Sequence, residues 1–286
     1  MLLAFREINA SEINLKLNVL MIMYKQTYDA LIMPSPTATT RFSNRVEDYV
    51  KYRPHYPATA IDHVVSELTL HPGSMVADLG SGTGISAKPL LEQDIIVYGV
   101  EPNDEMREAQ ETYLNQYLLF RSVKGTSEST TLAPASIDHA IAAQAFHWFD
   151  PDATRNELMR ILKPHGKLAL LWNERETMTT DFLREYEALL HQFSTDYELV
   201  DHRNINEAKL DAFFQHGYSS ANFPNVQHVD YDGLLGRLRS SSYVPAHGEA
   251  RFDEMVRALE LLFAKHQKSG YVDLLYECKV FIGGIT

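Results

Sequence analysis

The chain has 286 residues, 45% of them hydrophobic and 22% charged, an ordinary globular make-up with room for one large domain or one domain carrying a sizeable insertion. Its 26 basic and 38 acidic residues leave a formal charge of -12, which argues against a broad nucleic-acid footprint, since neutralising phosphates takes clustered Lys and Arg. The single cysteine, Cys278, excludes a disulfide scaffold and a thiolate-rich metal site, and no stretch nears the roughly 20 apolar residues that span a bilayer.

Residues 1–41 read as a poorly defined N-terminal extension, with apolar stretches of no tidy period running into Pro34, Pro36 and a Ser/Thr cluster. Either residues 1–32 are an appendage ahead of Met33 or residues 12–30 form a docking helix. No secretory cleavage site is evident, and a cytoplasmic location is expected. Residues 43–65 predict one or two helices broken by Pro54 and Pro57. A buried strand follows at Met75–Gly80, then a glycine-rich turn and a helix from about Ile85 to Glu92. Asp94–Glu101 predicts a second strand, Asn103–Tyr117 a helix, Leu119–Val123 a third strand and Ile137–Ala143 a fourth. A helix over 152–162 and a fifth strand at Gly166–Asn173 complete the alternation, which implies parallel pairing with both sheet faces covered.

Beyond Asn173 the spacing changes. Helices are expected at Thr180–Phe193, Leu210–His216 and Arg251–His266, a strand pair at 218–231, and a closing strand or tight hairpin over Val272–Tyr276 and Cys278–Ile282. The span 179–242 is expected to be a substrate-cap insertion in a domain of residues 42–286.

The sharpest signal is the run Asp78-Leu79-Gly80-Ser81-Gly82-Thr83-Gly84 between the first strand and a helix. Glycines there allow a tight turn and let a ligand approach bare backbone. Glu101 ends the next strand, where a carboxylate can accept hydrogen bonds from both ribose hydroxyls. The spacing G-x-G-x-G puts Ile85 where a nicotinamide site needs a small residue, and the lysine of a phosphate loop is missing. A carboxylate at Asp78 would repel a pyrophosphate and could orient a cationic amine. These residues favour a phosphate-free, zwitterionic nucleoside. The twelve histidines show no metal-ligand spacing, and no metal is expected.

These motifs resemble those of class I S-adenosylmethionine-dependent methyltransferases, in the small-molecule branch that includes trans-aconitate methyltransferase-like proteins. The resemblance rests on "VADLGSGTG", on "YGVEPNDEM" with Glu101, Pro102 and Met106, on "GTSEST", on "SIDHAIAAQAFHWFD" and on "LMRILKPHGKLAL", and it spans residues 42–173. Weaker support comes from "GRLRSSSYVP", Gly236 to Pro245. His165 departs from the family's usual glycine. The resemblance implies an α/β, three-layer Rossmann-like methyltransferase fold, with a seven-stranded, mainly parallel sheet and an antiparallel last strand. It implies S-adenosyl-L-methionine as cofactor, with Ser127 and Glu128 near the adenine.

The cofactor-binding candidates are therefore Asp78, Gly80, Ser81, Gly82, Thr83, Gly84, Glu101, Pro102, Met106, Ser127, Glu128, Gln144 and Ala145. His147 is the candidate catalytic residue, placed after the fourth strand where open α/β sheets bind ligands and able to take a proton near neutral pH. Arg45, Tyr49, Arg53, Trp148, Asn173 and Arg175 are the substrate-binding candidates, with the arginines suited to a carboxylate. The expected function is methyl transfer to a small-molecule acceptor, a carboxylate being one candidate. The alternatives are a nicotinamide-dependent oxidoreductase and a non-catalytic S-adenosylmethionine-binding protein.

Overall fold

The computed structural model describes residues 46–194, 197 and 207–285. The expectations for residues 1–41 and for Arg45 lie outside them. The chain opens with α1 (Val46–Tyr52) and α2 (Ala58–Glu67), separated by the proline-containing segment, and then enters the sheet at β1 (Met75–Leu79). Next come α3 (Lys88–Leu91), β2 (Ile96–Val100), α4 (Asp104–Tyr113), β3 (Phe120–Val123) and β4 (His139–Ala143). A one-turn 3-10 helix, Phe146–Trp148, leads to α5 (Pro151–Ile161) and β5 (Lys167–Arg175). The remainder holds α6 (Asp181–Phe193), α7 (Glu207–Phe213), β6 (Tyr218–Val229), α8 (Tyr231–Arg239), α9 (Phe252–His266) and β7 (Val272–Gly284).

The seven strands form one sheet in the order β3-β2-β1-β4-β5-β7-β6. β1 to β5 pair in parallel, and β7, last in the chain, runs antiparallel to both β5 and β6. The order reverses between β1 and β4, the switch point beyond whose strand ends open α/β sheets bind ligands. Alternate residues of each inner strand face opposite layers. Val76, Val97, Ile141, Ala169, Leu171 and Val280 pack with Ala60, Ile61, Val64, Leu90 and Leu114 on one side. Ala77, Leu79, Ala140, Ala142, Leu168 and Leu170 pack with Leu158, Ile161, Phe213 and Phe214 on the other. Two apolar faces explain the unbroken apolar runs read in the sequence.

Three readings change and one open choice is settled. The helix expected over Ile85–Glu92 shrinks to Lys88–Leu91, with Pro89 inside it, because turn residues occupy the chain up to Ala87. The strand pair at 218–231 is one twelve-residue edge strand, β6, in which Pro224 is tolerated because an edge strand leaves one row of amides unpaired. Of the two readings of the chain's end, the closing strand holds: it is the single strand β7 and not a hairpin. The helix α8 went unread, since Gly233 and Gly236 look like breakers; a Cβ at Gly236 would lie 2.1 Å from the Tyr52 ring, so this glycine lets α1 pack flush on α8.

The span 179–242 accordingly does not stand apart from the sheet, for β6 lies within it and α7 packs on the central core. A separate core does gather α6, α8 and α9 around Leu183, Tyr186, Leu190, Leu234, Met255, Leu274 and Tyr276. β6 and β7 carry it, because they stay paired at Val226–Val229 and Val272–Leu275, past the point where β7 leaves β5 at Tyr276.

His165 takes the left-handed conformation at φ 69°, the one a glycine would adopt freely, so the turn before β5 survives the departure from the family pattern.

Candidate active site

Backbone hydrogen bonds hold the glycine loop over the end of β2. The Val100 carbonyl accepts from the N–H of Gly80 at 2.9 Å and of Ser81 at 3.1 Å. Gly80, Gly82 and Gly84 all have positive φ, but two of the three serve packing. A Cβ at Gly80 would lie 2.7 Å from the Ala145 side chain, and one at Gly84 would lie 2.6 Å from Leu114. A Cβ at Gly82 (φ 55°) would meet nothing within 4 Å. Gly82 is thus the glycine with open space above it.

Glu101, 7% exposed, grips this same residue. Its Oε2 accepts the Gly82 N–H at 2.9 Å, and its Oε1 accepts the Asn103 N–H at 2.9 Å. Burial lifts its carboxyl above the ordinary range, against the pull of those two amides. An ionised carboxylate offers about four acceptor sites, so two remain for ligand hydroxyls.

Asp78 is fully buried at the end of β1. Its Oδ2 accepts from Ser86 Oγ at 2.6 Å, while Oδ1 is buried with no partner, as is the Thr83 hydroxyl. Burial raises the Asp78 carboxyl to about 7, despite the Ser86 hydrogen bond, and the Glu101 charge adds to the rise. Ser81 is otherwise engaged: its hydroxyl donates to Gln110 Oε1 at 2.8 Å, inside the wall formed with α4. Neither Ser86 nor Gln110 stood out in the sequence, because each lies on a neighbouring element and meets the loop only after folding.

Around this loop the candidates divide. Met106 is buried in the first turn of α4, and its N–H donates to the capping side chain of Asn103; Pro102 is half-buried beside Glu101. Ser127 is buried and its Oγ accepts from Thr154. Glu128 accepts the Asp150 N–H at 3.0 Å. Burial would raise its carboxyl, but the Asp150, Thr126 and Ser127 hydrogen bonds hold it below the usual range. At the tip of β4, Gln144 adopts φ 56°, a strained backbone typical of functional sites, and its amide donates to the Asn173 carbonyl at 2.9 Å. Ala145 lies against Gly80, and His147 and Trp148 follow on the 3-10 turn, their rings 4.9 Å apart.

Among the substrate candidates, Asn173 and Arg175 make polar contacts within the protein. The Asn173 side chain donates to the His55 carbonyl and accepts from Asn225 at 3.0 Å, tying β5 to β6 and to the chain between α1 and α2. Arg175 is buried, pairs with Glu187 and donates to the Tyr197 hydroxyl at 3.1 Å, under the face of Tyr186. Breaking a buried pair strands the remaining charge. Arg175→Met should therefore lower unfolding free energy by about 3 kcal/mol in urea titrations; a variant as stable as the unaltered protein would show that the pair with Glu187 does not hold the fold. Tyr49 and Arg53 remain in place as candidates: the Arg53 guanidinium lies 4.7 Å from the Tyr49 ring centre and donates to the Ser240 carbonyl at 2.9 Å.

A parallel sheet ending in a glycine loop, with a carboxylate facing it from the next strand, defines a nucleoside-binding α/β class. Comparison with known proteins narrows this. Residues 77–170 match the methyltransferase-domain family. An uncharacterized methyltransferase-like protein of Schizosaccharomyces pombe is 30% identical over 253 residues, covering 84% of this chain and 93% of that protein. An uncharacterized methyltransferase of Mycobacterium tuberculosis is 36% identical over 135 residues; the match takes in 47% of this chain and 53% of that protein, so it spans about half the relative's length. A candidate type II methyltransferase from Anaeromyxobacter dehalogenans shares the fold with a TM-score of 0.59 at 22% identity, over 82% of this chain and 98% of that one. The chain belongs to the class I S-adenosylmethionine-dependent methyltransferases.

The family's cofactor is S-adenosylmethionine, and the residues present fit it. Open space over Gly82, two free acceptor sites on Glu101 and the unpartnered Asp78 Oδ1 and Thr83 hydroxyl match bare-backbone contact, a ribose and a polar amino-acid end. Among the described residues, no helix is long and apolar enough to cross a membrane, and no cluster of His, Cys, Asp or Glu could hold a metal.

Proposed function

We propose that the protein transfers a methyl group from S-adenosylmethionine to a small-molecule acceptor bound between the glycine loop and the segments of α1 and α8. The observation that carries this reading is the Glu101–Gly82 hydrogen bond, which joins the ribose acid to the one loop glycine with space above it. Glu101 would hold the sugar, Ser127 and Glu128 the adenine end, and Asp78 the ammonium of the amino-acid end. When bound, the cofactor supplies an activated methyl on a sulfonium. The protein's own task is then to hold the acceptor in line and keep water out. Gln144, Ala145, His147 and Trp148 would shape the floor where the acceptor rests, and His147 would take a proton only from an acceptor that arrives protonated. An acceptor carboxylate is already ionised and needs no base, in keeping with the likeness to trans-aconitate methyltransferase-like proteins. Incubation with S-adenosylmethionine and a panel of small carboxylic acids, phenols and amines, followed by assay of S-adenosylhomocysteine, tests the reading. Turnover with one class is expected; cofactor binding without turnover on any class would contradict it.

The Asp78 role has a pH signature. In the free protein this carboxyl keeps its proton up to about 7, whereas in the unfolded chain it ionises near 3.8. The native state then binds more protons between those values, so Asp78 lowers stability as pH rises through that window. An ammonium placed against Asp78 favours its ionised form and displaces the proton. Calorimetric titration with S-adenosylhomocysteine, in buffers of different ionisation enthalpy, should show close to one proton released at about pH 6 and almost none at about pH 8.5. Asp78→Asn should abolish the release. Release of equal size in that variant would move the amine away from Asp78.

A further inference from the structure

Residues 124–138 join β3 to β4, and their first part forms a tight turn. Thr126 and Ser129 exchange backbone hydrogen bonds at 3.1 and 3.2 Å, which leaves Ser127 and Glu128 as the two residues at its tip. The chain enters the turn at Gly125, where a Cβ would lie 2.9 Å from the carbonyl oxygens of both Ser129 and Thr130.

Three positions along α5 fasten this turn. The N–H of Asp150, the helix N-cap, donates to Glu128 at 3.0 Å. Thr154 Oγ1 donates to Ser127 Oγ at 3.1 Å. The Glu157 carboxylate accepts the Thr130 N–H at 2.7 Å and the Thr130 hydroxyl at 2.5 Å. Positions 150, 154 and 157 are spaced by four and three residues, so they share one face of the helix. Ser127, Thr130 and Thr154 are buried, and Glu157 is 8% exposed.

Glu157 is the charged member of the set. Its Oε1 takes both Thr130 donors and Arg160 Nη2, and its Oε2 takes Arg160 Nε. The Arg160 bonds above all, and then the Thr130 bonds, hold its carboxyl at about 2 in spite of burial. A helix-surface pair with Arg160 alone would contribute little, and it would not need the buried oxygen that Glu157 turns toward Thr130.

We propose that Glu157 is a positioning residue for the cofactor's base: through Thr130 it sets the turn that presents Ser127 and Glu128 to adenine, and so governs discrimination between bases. This rests on the methyl-transfer reading above and on its placing of Ser127 and Glu128 at the adenine end. Adenine offers an amino group where hypoxanthine carries a carbonyl oxygen. Side chains that accept from that amine disfavour hypoxanthine only while they are held in place. A displaced turn would lose the contrast and leave the ribose acid Glu101, which is anchored by Gly82 and Asn103, as it was.

The test compares S-adenosylhomocysteine with S-inosylhomocysteine by isothermal titration of the full chain. The unaltered protein should prefer the adenosyl form by about tenfold or more. In Glu157→Met, which removes the carboxylate, the preference should fall to within about threefold. Glu157→Gln should keep most of it, because an amide oxygen can still accept both Thr130 donors. A role in the Arg160 pair alone would make the two variants alike. If Glu157→Met fails to melt cooperatively, Thr130→Val carries the test and should lower the preference by about threefold. The proposal is overturned if the preference survives in the folded variant, if Glu157→Gln loses as much as Glu157→Met, or if the unaltered chain binds both forms equally. Failure of the unaltered chain to bind either form would instead remove the methyl-transfer reading itself.

Discussion

Glu101→Ala is expected to lower affinity for S-adenosylhomocysteine by about a hundredfold to a thousandfold, while the protein still melts as a cooperative fold. Two charge-assisted hydrogen bonds to ribose hydroxyls, at about 1.5–3 kcal/mol each, would be lost. A second loss adds to the first, because the same carboxylate anchors the Gly82 and Asn103 amides. Without it the loop must be reordered each time the cofactor binds. Glu101→Gln, usually the mild substitution, is expected to be nearly as damaging. Both carboxylate oxygens accept backbone N–H groups, and an amide would turn one of them into a donor facing a donor. Isothermal titration on both variants measures the effect; affinity within threefold of the unaltered protein in Glu101→Gln would mean the carboxylate does not organise this site.

Gly82→Val is the second large effect, and it separates binding from folding. The position has φ 55°, which costs a β-branched residue about 1–2 kcal/mol or more. Nothing in the protein lies within 4 Å of the missing Cβ, so the side chain has room and the fold survives. It would stand in the space assigned to the cofactor, and binding should fall below detection. Gly80→Ala should do the reverse in rank: its Cβ runs into Ala145 at 2.7 Å, so stability falls first and binding follows from it. Paired melting curves and titrations on the two variants make the comparison. A Gly82→Val protein that binds normally would place the ligand elsewhere.

How much of this was legible in the sequence follows from how local each signal is. The glycine loop and Glu101 lie within 24 positions, Asp78 to Glu101, and their spacing in the chain carries the geometry directly. The five parallel strands were found because two buried faces leave continuous apolar runs, and only their ends moved by a residue or two. Asn173 and Arg175 were assigned to substrate because they end a central strand. Their partners within the fold come from distant segments: His55 and Asn225 hold the first, Glu187 and Tyr197 the second. Arg237 was passed over for the opposite reason. It sits in an unrecognised helix whose glycines look like breakers, and its hydrogen bond to Tyr276 forms only when distant parts of the chain are brought together. Pattern gives elements and motif spacing; it does not show which polar groups are already satisfied.

The most direct measurement is a crystal structure of the protein with S-adenosylhomocysteine. The two ribose hydroxyls are expected at roughly 2.5–3.0 Å from the Glu101 carboxylate, with the ligand's amino-acid end passing over Gly82 toward Asp78. A sugar bound away from Glu101, or a ligand that leaves the space above Gly82 empty, would contradict the cofactor site described for this protein.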